Sequence, residues 1–217
     1  MTEAPVAEDP TPQLVASASE ESVTANERLT AFAGALLFVL LAVEGSTLLG
    51  VGQMLTLHEF VGVLLVGPLV LKLGATGWRF LRYYSGDRAY QHKGPPWLPL
   101  RLLAPILVLS TITLIGSGIG LWAYGHDTGG LMLLHKASFI IWIGVSALHV
   151  LYYMWRVPAL MLADLRRGTA VPRGRIVRLG LVAVSLVLGV SLAVMTIGGH
   201  ATFRRHDDGG RFQRFHH

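Results

Sequence analysis

Apolar residues run almost unbroken through five stretches of this chain: Leu29 to Gly50, Leu57 to Arg79, Leu100 to Tyr124, Leu131 to Arg156, and Ile176 to Gly198. Polar and charged residues gather in the connections between them. Each stretch is near the roughly 20 residues that an α-helix needs to cross a hydrocarbon core. The pattern predicts an all-α integral membrane protein with five spans, a four-helix bundle over residues 29–156 and one additional transmembrane helix over 176–198. Residues 1–28, rich in Ala, Pro, Ser and Glu, are expected to form a disordered tail, as are residues 199–217.

Composition and charge agree with that class and orient it. The chain of 217 residues is 52% hydrophobic and only 14% charged, against about a quarter charged in ordinary soluble domains. The connection from Arg79 to Arg101 holds Arg79, Arg82, Arg88, Lys93 and Arg101 against Asp87 alone, and the 157–175 loop with its flanks holds Arg156, Arg166, Arg167, Arg173, Arg175 and Arg178 against Asp164. By the positive-inside rule both loops face the cytoplasm, which makes this a multi-pass cell-membrane protein with a cytoplasmic N-terminus. Five spans then place the C-terminal tail outside, although it carries Arg204, Arg205, Arg211 and Arg214. The net charge of +5 is thus a topology signal, not a mark of nucleic-acid binding. The absence of cysteine excludes disulfides, thiolate-bound iron–sulfur clusters and covalently attached c-type haem. No basic segment followed by a cleavable apolar core marks a signal peptide.

Ionisable side chains inside spans are costly and call for a reason. His135 and His149 lie fourteen residues apart in the fourth span. At about 100° and 1.5 Å per residue they share one helix face, roughly 21 Å apart, one near each membrane surface. The second span enters from the same side as the fourth, so His58 at its start matches His135 in depth. Two neutral imidazoles on facing helices make a six-coordinate haem b site suited to electron transfer. Gly62, one turn beyond His58, would let a macrocycle approach the backbone. The plainer alternative makes His58 and Glu59 interfacial polar residues at a helix start.

Counting fourteen from His58 reaches Lys72, which takes the place facing His149. Lysine can ligate iron once it loses its proton, and burial favours that loss; the plainer alternative is a lysine snorkelling to the cytoplasmic surface. Glu44, about fifteen residues into the first span, falls near His58 and Glu59. There it would accept a proton in quinol oxidation, orient a ligand histidine, or reach the outer interface.

From Glu27 to Arg156 the chain resembles the cytochrome b subunits of respiratory formate dehydrogenases and nickel–iron hydrogenases, and the related bacterial cytochrome b561 proteins. The resemblance rests on Arg28-Leu29-Thr30-Ala31-Phe32, on Leu40-Leu41-Ala42-Val43-Glu44-Gly45, and on Leu57-His58-Glu59-Phe60-Val61-Gly62-Val63. It continues through Gly116-Ser117-Gly118 with Trp122, and through the His135 and His149 pair. It implies a membrane b-type cytochrome that transfers electrons between a quinone pool and a redox partner subunit of molybdenum or nickel–iron type. Such a chain is an electron-transfer subunit of an oxidoreductase complex, not an enzyme alone. His58 and His135 map onto the ligands of the outer haem, and His149 onto one ligand of the inner haem. The quinone site of the family lies near the inner haem, where His149, Lys72 and Arg28 fall. The partner of His149 in that family is a first-span histidine, and Ala31 stands at the matching position here. An inner haem is then absent, five-coordinate through His149, or completed by Lys72 or by a partner subunit. One haem b is the expectation, and a second is the extension.

Other classes fit less well. A proton or metal-ion transporter would use Glu44, His58, Lys72, His135 and His149 as a relay, but no repeat of broken helices is evident. A zincin peptidase needs a second histidine four residues after His58, and that position is Gly62. A bare structural anchor would tolerate loss of both fourth-span histidines.

Overall fold

The computed structural model describes residues 11–94, 97–125, 128–166 and 173–212, and every element among them is helical. They are α1 (Thr11–Thr47), a short 3₁₀ turn (Leu48–Gly50), α2 (Val51–Leu64), α3 (Val66–Tyr84), α4 (Arg88–His92), α5 (Leu98–Tyr124), α6 (Gly129–Tyr153), α7 (Arg156–Arg166) and α8 (Arg173–Phe212). Four helical runs among the described residues are long and apolar enough to cross a membrane: Glu20–Tyr84, Leu98–Tyr124, Gly129–Tyr153 and Gly174–Ile197.

The first run contains two of the five apolar stretches. Its 65 residues would reach about 97 Å if straight, but the chain reverses where Gly50 (φ −155°, ψ 49°) and Met54 (φ −109°, ψ 19°) leave helical geometry. The two legs then run antiparallel. Asn26 donates to the carbonyl of Ala75, Lys72 to that of Thr30, and Arg79 pairs with Glu27. Between them Leu37, Val61 and Leu65 form a small apolar core.

α1 begins at Thr11, well before the expected start of the first span at Leu29. The reason lies in side chains that hydropathy does not register. Val23 is buried, and the Glu27 carboxylate takes both Arg79 at 3.1 Å and Lys93, which ties the polar beginning of the helix to α3 and α4. At the other end the backbone of α8 continues helically to Phe212, past the expected end of the fifth stretch. In the basic connection α7 forms a helix that packs on α1. The expectations for residues 1–10, 167–172 and 213–217 lie outside the described residues.

α8 packs against the joint between α2 and α3. Pro68, fully buried, has no N–H to donate to Leu64, so the carbonyl of Leu64 loses its helical partner and the two helices separate at Leu65. Gly189 of α8 lies against that same carbonyl, and a Cβ there would sit 2.2 Å from it. Gly67 reciprocates, since its Cβ would meet the carbonyl of Ser185 at 2.1 Å. Small residues at these two points let the backbones approach, as is common between membrane helices.

α5 and α6 form a second antiparallel hairpin, held by Trp142 Nε1 donating to Thr111 Oγ1 at 3.0 Å. Gly125 closes α5 in a left-handed conformation (φ 93°) that favours glycine. Close backbone packing of this hairpin on the rest of the described structure is mainly α2 against α5. What faces what across that thin seam defines the site.

Candidate functional site

His58 stands two turns into α2, opposite the last turn of α1. Its Nδ1 lies 2.9 Å from Glu44 Oε1 and 3.0 Å from Thr47 Oγ1. Thr47 is fully buried and its hydroxyl donates to the carbonyl of Glu44 at 2.6 Å. A hydroxyl has one proton, so the Thr47 oxygen can only accept from His58.

His135 repeats the arrangement on the second hairpin. Its Nδ1 lies 3.1 Å from Ser117 Oγ and 3.1 Å from the carbonyl of Leu114. The Ser117 hydroxyl donates to that same carbonyl at 3.0 Å. Both neighbours of Nδ1 are therefore acceptors, and the ring must carry its proton there.

Among the described residues, the polar contacts of the two rings are made at Nδ1. When neutral, each imidazole is thereby held as the Nδ1–H tautomer, with the lone pair on Nε2. Histidines that bind metals are set up in this way, the other ring nitrogen donating to a carboxylate or carbonyl.

The rings face each other across the seam with centroids 6.4 Å apart and planes at 87°. With metal–nitrogen bonds of about 2.0–2.1 Å and roughly 1.1 Å from ring nitrogen to ring centre, two imidazoles trans on one metal have centroids about 6.3 Å apart. The pair thus has the spacing of a two-histidine metal site. Among the described residues no three His, Asp or Glu side chains converge on a bare-ion site. Two histidines without further protein ligands would suit a metal whose remaining positions come with its own macrocycle, as in haem. Gly118 adjoins the His135 ring, where a Cβ would lie 3.2 Å from Cε1, and Gly62 adjoins Glu44, where a Cβ would lie 3.4 Å from Oε1. Glu59 is half-buried beside His58.

The inner group is built differently. Lys72 reaches from α3 to α1, where its Nζ donates to the carbonyl of Thr30 at 3.2 Å and lies 2.9 Å from where a Cβ on Gly34 would be. That is the neighbourhood of buried Ala31. His149, on α6, packs its ring on Tyr153 at 4.8 Å between centroids. Lys72 lies near enough for its charge to act on the His149 ring, but among the described residues no hydrogen bond joins the two, and they do not reproduce the facing, carbonyl-oriented pair of the outer group. They do not fit a two-histidine haem.

Sequence patterns located His58, His135 and Glu44 but not the groups that orient the rings: Thr47, Ser117 and the carbonyl of Leu114. Glu44 Oε2 is buried without a hydrogen-bond partner. No protein-family profile, curated protein or solved structure matches this chain.

Proposed function

We propose that the chain is a membrane b-type cytochrome that passes electrons between a quinone pool and a redox partner, with one haem b held by His58 and His135. The observation that carries this is the 6.4 Å separation of two imidazoles whose Nδ1 protons are both committed to protein acceptors. When bound, haem supplies a one-electron couple between two oxidation states of its iron. The chain's own part is to hold and insulate it. His58 and His135 would hold it from both hairpins, and a haem held by two histidines favours electron transfer over binding of a gas or substrate. Glu44, Thr47, Ser117 and the Leu114 carbonyl fix the ring orientation and strengthen both donors.

In this arrangement the two legs of Glu20–Tyr84 each cross the bilayer, so that five spans form a four-helix haem-binding bundle plus α8. The basic connections mark the cytoplasmic face of the cell membrane and place the N-terminus there. The redox partner, of molybdenum or nickel–iron type by resemblance, would complete an oxidoreductase complex. The inner residues Lys72 and His149 bind no second haem.

An ion relay would draw on the buried, unpartnered Oε2 of Glu44. It must also bridge the fourteen residues between His135 and His149, and among the described residues no hydrogen-bonded group joins the outer cluster to Lys72. A reduced-minus-oxidised spectrum of the detergent-purified protein decides between them. The cytochrome shows the sharp visible bands of a six-coordinate b haem, whereas a relay is colourless.

A further inference from the structure

Two aromatic rings follow the ligand histidine along α6. Phe139 lies one turn beyond His135 and Trp142 two turns beyond. At about 100° per residue both stay within roughly 40° of the direction of His135, on the face turned to the seam. Their rings lie side by side, with centroids 6.4 Å and planes 26° apart. Trp142 is fixed in its turn: its Nε1 donates to Thr111 Oγ1 at 3.0 Å, and the buried Thr111 hydroxyl spends its proton on the carbonyl of Leu107 at 2.6 Å. A third hydroxyl thus acts only as an acceptor.

The opposite wall is bare at the same depth. Lys72 and His149, each fourteen residues beyond its histidine, are again near enough for the charge of one to act on the other. The α2–α3 leg and α6 therefore run in the same direction, and Gly62, one turn beyond His58, stands level with Phe139. One side of the seam there is an aromatic ring and the other is a residue without a side chain. Phe139 and Trp142 are only half-buried, so part of each ring is left uncovered.

We propose that Phe139 and Trp142 form the aromatic wall of the cofactor slot and make it selective for a flat tetrapyrrole over a bare metal ion. The inference rests on the haem site proposed above for its choice of ligand and adds what recognises the macrocycle. A ring system held at its centre by two histidines extends beyond them along both helices, where a glycine gives it room and aromatic side chains can lie against its face. A bare ion gains nothing from either. This recognition acts on the porphyrin ring itself and needs no iron.

The test uses the full chain in its haem-free form in detergent, with haem, metal-free protoporphyrin IX and Zn²⁺ as probes, read by the shift and stoichiometry of porphyrin absorption. Only protoporphyrin that haem displaces is counted as bound. The wild type is expected to take one protoporphyrin per chain, with Zn²⁺ displacing neither it nor haem. Phe139→Leu should weaken protoporphyrin binding about tenfold, the worth of one aromatic contact, and it keeps the hydrogen bond from Trp142 to Thr111, so circular dichroism and elution volume stay those of the wild type. Trp142→Phe keeps a ring but gives up that bond, and should cost about threefold. Haem bound but protoporphyrin refused would leave the histidine site standing and overturn the aromatic wall, as would undiminished affinity in Phe139→Leu or displacement of haem by Zn²⁺. Refusal of both porphyrins by the wild type would overturn the haem site and the wall together.

Discussion

Thr47 donates its hydroxyl proton to the Glu44 carbonyl at 2.6 Å and so can only accept from His58 Nδ1, 3.0 Å away. One buried hydroxyl therefore settles which nitrogen of the ring is free to bind a metal. Ser117 does the same for His135. That two hairpins arrive at one solution is the strongest structural argument for a paired-ligand site.

Removing either orienting hydroxyl should loosen haem without removing a ligand. Thr47→Val and Ser117→Ala are expected to weaken haem binding 10–100-fold, the usual cost of losing a group that orients a metal-bound histidine. Titration of haem into the apoprotein measures it. An unchanged affinity in both variants would show that the hydroxyls do not orient ligands.

Glu44→Gln tests the carboxylate charge separately from its shape. With the anion gone from His58 Nδ1–H, the ring becomes a poorer donor and the oxidised, more positive iron is less favoured. The midpoint potential should rise, by about 59 mV for each tenfold change in the relative stability of the two oxidation states. Potentiometric titration reads this; a fall in potential would contradict the assigned role.

Lys72→Met should leave the haem count unchanged, because its amine is committed to the Thr30 carbonyl on α1. The measurement is the haem-to-polypeptide ratio with the absorption spectrum. Loss of a haem or a change in axial-ligand signature would make Lys72 a ligand.

The contact of α8 with the α2–α3 joint depends on two glycines. Gly67→Ala and Gly189→Ala each place a Cβ about where a backbone carbonyl already lies, so the helices must part. A loss of about 1–3 kcal/mol is expected for such overpacking, seen as a lower unfolding temperature. Gly144→Ala, with open space around its Cβ, is the neutral control.

Periodicity and span direction were enough to match the depth of His58 and His135, because both depend only on helical rise and on where each span begins. Hydropathy was likewise enough for the all-helical membrane class. Thr47 and Ser117 were not legible: hydroxyls are common in membrane helices, and their value here comes from an i−3 carbonyl that occupies the proton. The early start of α1 was hidden for a related reason, since Asn26 and Glu27 are polar in sequence and become anchored only by Ala75, Arg79 and Lys93 from distant segments. Pro68 would have flagged the break near Leu65, but not that Gly189 comes to rest against the carbonyl it frees. At the inner end, position counting brought Lys72 near His149, whose ring feels its charge, but did not show that the long side chain donates to the Thr30 carbonyl on α1.

The most direct measurement is the haem-to-polypeptide ratio by pyridine haemochrome, for wild type, His135→Ala and His149→Ala expressed with ample haem. One b haem per chain is expected, lost in His135→Ala and kept in His149→Ala. A wild-type protein without haem, or haem that persists after His135→Ala and disappears with His149→Ala, would contradict it.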